Sequence, residues 1–349
     1  MQRRSLLLGA AAASAALATP ALRAQTPPAP AAGGKLTPLR FSLDFRVTGQ
    51  TAPFFLALQR GWFRDEGLDV AIDVGSGSVA SITRVASGAY DMSLGDVSAL
   101  IEFNAANPGA PYLSAVYQYY NRAPFVIVGR RDRGVTDDFR SLQGKRIAAA
   151  AVESTRRAWP MVARKLRLPN EPFSWVTTDF SQRDNVIVRG DVDGATYFHD
   201  SAVSLFQRLD PKTLAVLPYT SAGVDLYGNA VLASNRLIVE NPRAVAGFLR
   251  ALNRAIVETL ANPAPAIAAA KAREPLLDEK TELARWAITA QYVAAADTRG
   301  HGLGDTRQGL VERQVDEVVD VFGLKARPSA AALFNRSFLP ARGEREVRA

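Results

Sequence analysis

Hydrophobic and polar positions fall into two alternating series of short strands and amphipathic helices, followed by a long helical stretch. Leu39–Phe45 (LRFSLDF) alternates with period two and predicts a strand. Pro53–Glu66 predicts a helix, with Phe54, Leu58, Trp62 and Phe63 on one face and Gly67 as its stop. Leu68–Val74 and Tyr90–Leu94 predict strands, with a helix over Val79–Ser87 between them. A helix over Val97–Ala106 closes at Asn107-Pro108-Gly109, and strands follow at Tyr112–Tyr119 and Pro124–Gly129. A second series begins at the strand Arg146–Ala151. It continues through a helix at Ser154–Leu166, a strand at Phe173–Thr177, a helix at Gln182–Arg189 and a strand at Gly194–Phe198. Thr213–Leu217 and Asn229–Ala233 complete the strands. Helices are then expected over 242–261, 263–273, 279–295 and 306–322, and Leu324–Ala349 reads as a wrapped tail frayed after Arg342. The alternation predicts α/β architecture, with mostly parallel sheets covered on both faces.

The N-terminal segment carries an address rather than structure. Arg3 and Arg4 precede an apolar run, Leu6–Ala18, that is 13 residues long, short of the ~20 needed to span a bilayer. With TPALRAQ after it, residues 1–24 are expected to be a signal peptide cleaved after Ala24, of either twin-arginine or Sec type. Residues 25–38, rich in Pro, Ala and Gly, are expected to be a flexible tether. The expected location is the periplasm.

Composition narrows the chemistry. With 349 residues, 48% hydrophobic and 22% charged, the chain is long enough for two medium domains with real cores. It has no cysteine, which excludes disulfides, thiolate metal sites and cysteine nucleophiles. It has two histidines, His199 and His301, which argues against a histidine metal centre. The +8 charge is mostly arginine, with only seven lysines, and is scattered without a basic stripe interleaved with aromatics. No nucleic-acid partner is expected.

Residues 52–96 carry a clustered motif: Ala52, Pro53, Ala57, Gly61, Phe63, Glu66, Gly67, Leu68 and Val70, then the Gly75–Ser78 turn, then Gly88 and Asp91. It resembles the substrate-binding proteins of ABC importers for nitrate, sulfonates, taurine and thiamine-pyrimidine precursors. Ser141–Ile147 (SLQGKRI) and Arg189–Gly194 (RGDVDG) resemble two further family segments. The resemblance implies a two-lobed flytrap of the type II periplasmic-binding-protein fold. Lobe one would be 39–125 plus 226–349 and lobe two 126–225, with the chain crossing near Pro124–Arg130 and Gly223–Ala230. It also implies a small-molecule ligand and a membrane ABC permease as partners, with no catalysis and no cofactor.

Ligands of open α/β sheets bind beyond the C-terminal ends of strands. Four loops satisfy this. The first offers Arg46, Thr48 and Gln50. The second is the turn Ser76, Gly77 and Ser78 at a helix start. The third holds Asp96, either a helix cap or an acceptor for a ligand amine. The fourth, Glu153–Arg156, offers Ser154 or Thr155 as a helix cap and Arg156 or Arg157 as an anion clamp. Tyr117, Tyr197 and Tyr227, with Tyr119 and Tyr120, cluster near the expected cleft and suit a ring ligand; a sulfonate is the other expectation. His199 and His301 are given no ligand role.

Two enzyme readings compete. Gly75–Ala80 fits the dinucleotide fingerprint G-x-G-x-x-A, with Asp96 21 residues beyond Gly75. Eukaryotic thiamine-pyrimidine synthases resemble the chain over the first motif, but they carry a cysteine-rich motif that it lacks. A sensor role would differ from transport only in partner.

Overall fold

The computed structural model describes residues 35–108, 113–296 and 298–347. The signal peptide and most of the tether therefore lie outside the described residues, as does Tyr112. The described strands form two five-stranded sheets. The first contains β1 (Thr37–Ser42), β2 (Leu68–Asp73), β3 (Met92–Asp96), β4 (Leu113–Gln118) and β10 (Asn229–Ser234), in the order β2-β1-β3-β10-β4. The second contains β5 (Phe125–Arg130), β6 (Arg146–Ala149), β7 (Ser174–Thr177), β8 (Gly194–Phe198) and β9 (Leu214–Pro218), in the order β7-β6-β8-β5-β9.

The two sheets share one plan. β1 pairs in parallel with β2 and β3, and β6 does so with β7 and β8. One strand in each runs against its neighbours: β10 between β3 and β4, and β5 between β8 and β9. These are the first strands after each passage of the chain between sheets, through residues 119–124 and 219–228. Helices cover the sheets, as the buried parallel strands require.

Each half has its own aromatic cluster, and the two are linked through Tyr119, Tyr120, Phe198 and Phe125. In the first, Phe248 stacks on Phe41 and on Phe63, with centroids 5.1 and 4.9 Å apart. In the second, Trp159 packs against Phe173 at 4.7 Å and stands among Phe139 and Tyr219. These rings are almost entirely buried, and each contributes roughly 1.5–3 kcal/mol by leaving water.

Several expected boundaries move. The helix expected over 53–66 is two helices, Ala52–Gln59 and Trp62–Asp65. Gly61, at φ +74°, adopts the left-handed conformation that ends the first helix and turns Trp62 and Phe63 inward. β1 begins at Thr37, inside the expected tether, because the Thr37 N–H bonds to the Gly67 carbonyl at 2.9 Å. It ends at Ser42, which releases Leu43–Phe45 into a turn. The described tail residues after Arg342, 343–347, are held in place. Arg345 is buried and donates to the carbonyls of Leu303 and Pro340, both at 2.9 Å. The helix Asn235–Glu240 was not anticipated.

A third connection joins the halves. The helix Glu279–Val293 lies against residues of both. Glu282 accepts from the Gly49 N–H in the first half. Thr289 donates to Asp200 in the second at 2.9 Å, and Arg285 donates to the Asp200 carbonyl at 2.8 Å.

Candidate ligand-binding cleft

The C-terminal ends of the parallel strands in both sheets converge on one cleft, narrow within and open to solvent at its mouth. From the first half, the turn after β1 supplies Asp44, Phe45 and Gln50, and the turn after β2 supplies Gly77 and Ser78. From the second, Val152, Glu153 and Ser154 follow β6, and Phe180 and Arg183 follow β7. Phe198 and Ser201 come from the end of β8 and the turn after it.

The turn around Asp44 is built by backbone bonds. The Asp44 carbonyl accepts from the Gly77 N–H at 2.6 Å, and the Phe45 carbonyl accepts from the Gly75 N–H at 2.9 Å. Gly75 is required here, because a Cβ would lie 2.1 Å from the Leu43 carbonyl oxygen. Asp44 Oδ2 accepts from Asn229 Nδ2 at 2.6 Å. Burial raises the Asp44 pKa to about 7. The Asn229 amide and nearby backbone N–H groups offset part of that rise, and the Asp200 charge adds to it.

The opposite wall centres on Arg183. Its guanidinium donates to Glu153 Oε1 at 2.8 Å, with both side chains almost fully buried. It lies 4.0 Å from the Tyr197 ring centroid and 5.4 Å from that of Phe180. Glu153 Oε2 also accepts from Thr196 Oγ1 at 2.8 Å and from the Ala150 N–H at 3.2 Å. Burial still outweighs these partners and raises the Glu153 pKa. A buried pair this well satisfied fixes a side-chain position rather than adding much stability.

Behind the cleft, Asp200 is fully buried and accepts from the Tyr120 hydroxyl and from Thr289. His199 Nδ1 lies 2.9 Å from the Tyr292 hydroxyl. Burial holds the His199 pKa below its usual value.

Of the residues expected from sequence, Gln50, Gly77, Ser78 and Ser154 line this cleft. Thr48 is buried beside Gln50, within the turn its carbonyl closes with Thr51. The others are placed elsewhere for identifiable reasons. Arg46 is exposed and absent from the lining, its guanidinium over the Phe45 ring at 4.8 Å. Ser76 is exposed at the tip of its turn. Asp96 caps the helix Val97–Ala106 by accepting from the Ala99 N–H at 3.0 Å, and burial raises its pKa to about 7. Arg156 leans over the Trp175 ring and donates to Thr177, away from the lining. Thr155 is buried and donates to the Tyr197 carbonyl at 3.3 Å. The tyrosines are core residues with long-range partners. Tyr117 donates to Asn253 at 2.9 Å, Tyr197 to Asp184 at 2.7 Å, and the Tyr227 hydroxyl accepts from the Arg307 N–H at 2.8 Å.

Glu153, the first residue of the fourth expected loop, also lines the cleft, while sequence reasoning missed Asp44, Phe45, Val152, Phe180, Arg183, Phe198 and Ser201. The strand-end rule reaches most of them once it is also applied after β7 and β8. The aromatic lining is phenylalanine rather than tyrosine.

Among the described residues no three histidine or acidic side chains group to hold a metal, and no helix is long and apolar enough to cross a membrane. The fold is that of periplasmic binding proteins. The alkanesulfonate-binding protein of Xanthomonas axonopodis pv. citri, solved with MOPS, superposes with a TM-score of 0.68 at 15% identity, over 87% of this chain and 100% of its own. The aliphatic sulphonate-binding protein of Escherichia coli gives a TM-score of 0.67 at 13% identity, over 85% and 97%. Among curated sequences, the 4-amino-5-hydroxymethyl-2-methylpyrimidine phosphate synthase of Aspergillus parasiticus is 25% identical over 239 residues, covering 65% of this chain and 68% of the relative. Residues 48–266 match the model of the NMT1/THI5-like family, and the chain belongs to that family.

Proposed function

We propose that the protein is the periplasmic solute-capturing component of an ABC importer, binding a small aromatic or heterocyclic molecule between its halves. One observation carries the reading. Both walls of the cleft are strand-end turns from separate sheets, and an aromatic ring from each, Phe45 and Phe180, closes over it. A ligand that touches both walls stabilises the closed form by contacts that the open form lacks. The halves are joined by short crossings, which suits hinge closure. Structural neighbours that are ligand-binding components of ABC import systems support the same role. Asp44 and the Glu153–Arg183 pair orient the ligand. No bond is made or broken.

The test is a thermal-shift screen of residues 25–349 against thiamine pyrimidines, riboflavin, aromatic carboxylates, taurine, alkanesulfonates, nitrate and NAD. A ligand at 100 Kd adds about 2.7 kcal/mol of stability and raises the midpoint by several degrees. A shift with a ring compound supports the reading, and a shift with taurine or nitrate alone replaces the ring with a small anion.

The names of the curated relatives favour a second reading, a thiamine-pyrimidine synthase. Mass spectrometry of the bound ligand after prolonged incubation separates the two. Unchanged ligand supports capture, and a product supports synthesis.

A further inference from the structure

Two residues that line the cleft, one on each wall, each carry a polar atom that is covered from solvent and makes no hydrogen bond of normal geometry among the described residues: Asp44 Oδ1 and Arg183 Nε. The side chains that carry them are only 5% and 4% exposed, and both line the cleft. Their other atoms are engaged. Asp44 Oδ2 accepts from Asn229 at 2.6 Å, and Arg183 donates to Glu153 at 2.8 Å and reaches Ser201 Oγ at 3.4 Å. Buried polar atoms left unpaired are costly, and in a binding cleft their natural partners come from the ligand.

Resting on the cleft reading above, we propose that Asp44 and Arg183 are the two specificity poles: the ligand is a flat ring that presents an N–H donor to Asp44 Oδ1 and a neutral acceptor to Arg183 Nε. Charge supports this polarity. Glu153 already neutralises Arg183 inside the cleft. Of the other arginines nearby, Arg285 is paired with Glu282, and Arg46 lies over Phe45 and is not among the lining residues. A simple anion entering the cleft meets an occupied guanidinium on one side and the Asp44 carboxyl on the other. Phe45, Phe180 and Phe198 supply the flat apolar surface for the ring. A site built to hydrogen-bond a donor discriminates strongly against analogues lacking it, because its buried groups are then left unpaired.

The experiment is calorimetric titration of residues 25–349 with four pyridines of one size: nicotinamide, 3-acetylpyridine, nicotinate and pyridine-3-sulfonate. Nicotinamide carries donor and acceptor, 3-acetylpyridine the acceptor alone, and the last two are anions. Nicotinamide is expected to bind at least tenfold tighter than each of the others. In Asp44→Leu its advantage over 3-acetylpyridine falls below twofold. Asp44→Asn, which keeps a neutral acceptor, retains part of it. Arg183→Gln weakens nicotinamide and 3-acetylpyridine together. Equal or tighter binding of the anions by the wild-type protein overturns the proposal while leaving a ring-binding cleft in place, and needs no variant to fold. Absence of binding by all four at millimolar concentration overturns both the proposal and the ring-binding reading.

Discussion

Phe45 and Phe180 meet edge to face with ring centroids 5.1 Å apart, and they belong to different halves of the molecule. Their contact exists only while the halves are together. Replacing Phe180 with alanine removes it without touching either core. The expected outcome is a larger radius of gyration for the ligand-free protein in small-angle scattering. Affinity for a ring ligand is expected to fall about tenfold, ~1.4 kcal/mol. Wild-type affinity in this variant would show that the pair takes no part in closure.

Asp200 gathers the Tyr120 hydroxyl and Thr289 onto one buried carboxylate. Asp200→Ala leaves both donors unsatisfied in the interior and is expected to cost about 2–4 kcal/mol in urea denaturation. Tyr120→Phe removes one donor together with its bond and costs about 1 kcal/mol. The two changes are expected to be less than additive in the double variant, because they share that bond. Full additivity would mean the bond contributes nothing.

Gly75→Ala places a Cβ 2.1 Å from the Leu43 carbonyl oxygen and 2.7 Å from the Asp44 carbonyl carbon. Both are backbone atoms, so the turn itself shifts and carries Asp44 and Phe45 with it. Ligand affinity is expected to fall at least tenfold, with a drop of a few degrees in melting temperature. A melting drop with intact affinity would show that the turn does not position the site.

Burial raises the pKa of Asp44 to about 7. The unfolded chain releases this proton near pH 4 and the folded chain near 7. The contribution of Asp44 to stability is therefore full below pH 4 and is lost as pH rises to 7. The groups around it are Asp200, whose charge raises the value, and Asn229, which lowers it. His199, held low by burial, acts in the opposite direction as it loses its proton. Comparison with Asp44→Asn isolates one group. The ligand-free variant is expected to gain on the wild-type protein steadily from pH 4 to 7.5 in chemical denaturation, and a constant difference would place the Asp44 pKa at its ordinary value.

β1 through β4 were readable because each is a short apolar segment bounded by turn residues or a helix cap, β2 alternating buried and exposed positions and β3 and β4 buried throughout. The split at Gly61 was not, since a left-handed glycine and a helical one look alike in sequence. The cleft was readable in part. Gln50, Gly77, Ser78 and Ser154 follow from strand ends alone. Arg183 reads as the start of a surface helix, and only Glu153, Thr196 and Tyr197, brought together by β6 and β8, make it a buried cleft residue. The tyrosines misled for the same reason. Tyr119 and Tyr120 satisfy their hydroxyls at the Gln50 carbonyl and Asp200, residues far away in the chain. Nothing local distinguishes a tyrosine that closes a core from one that faces a ligand.

The helix Glu279–Val293 gives the two halves a fastening besides the crossing segments, made of hydrogen bonds instead of covalent chain. A body held along two links can twist as well as swing, whereas a third support off that line constrains it to one arc. Under the proposed hinge closure, widening the cleft would draw Asp200 away from Thr289 and Arg285 and would also part Arg157 from Glu102. If the protein captures a solute as proposed, loosening that clasp is expected to speed its release without altering any residue that lines the cleft.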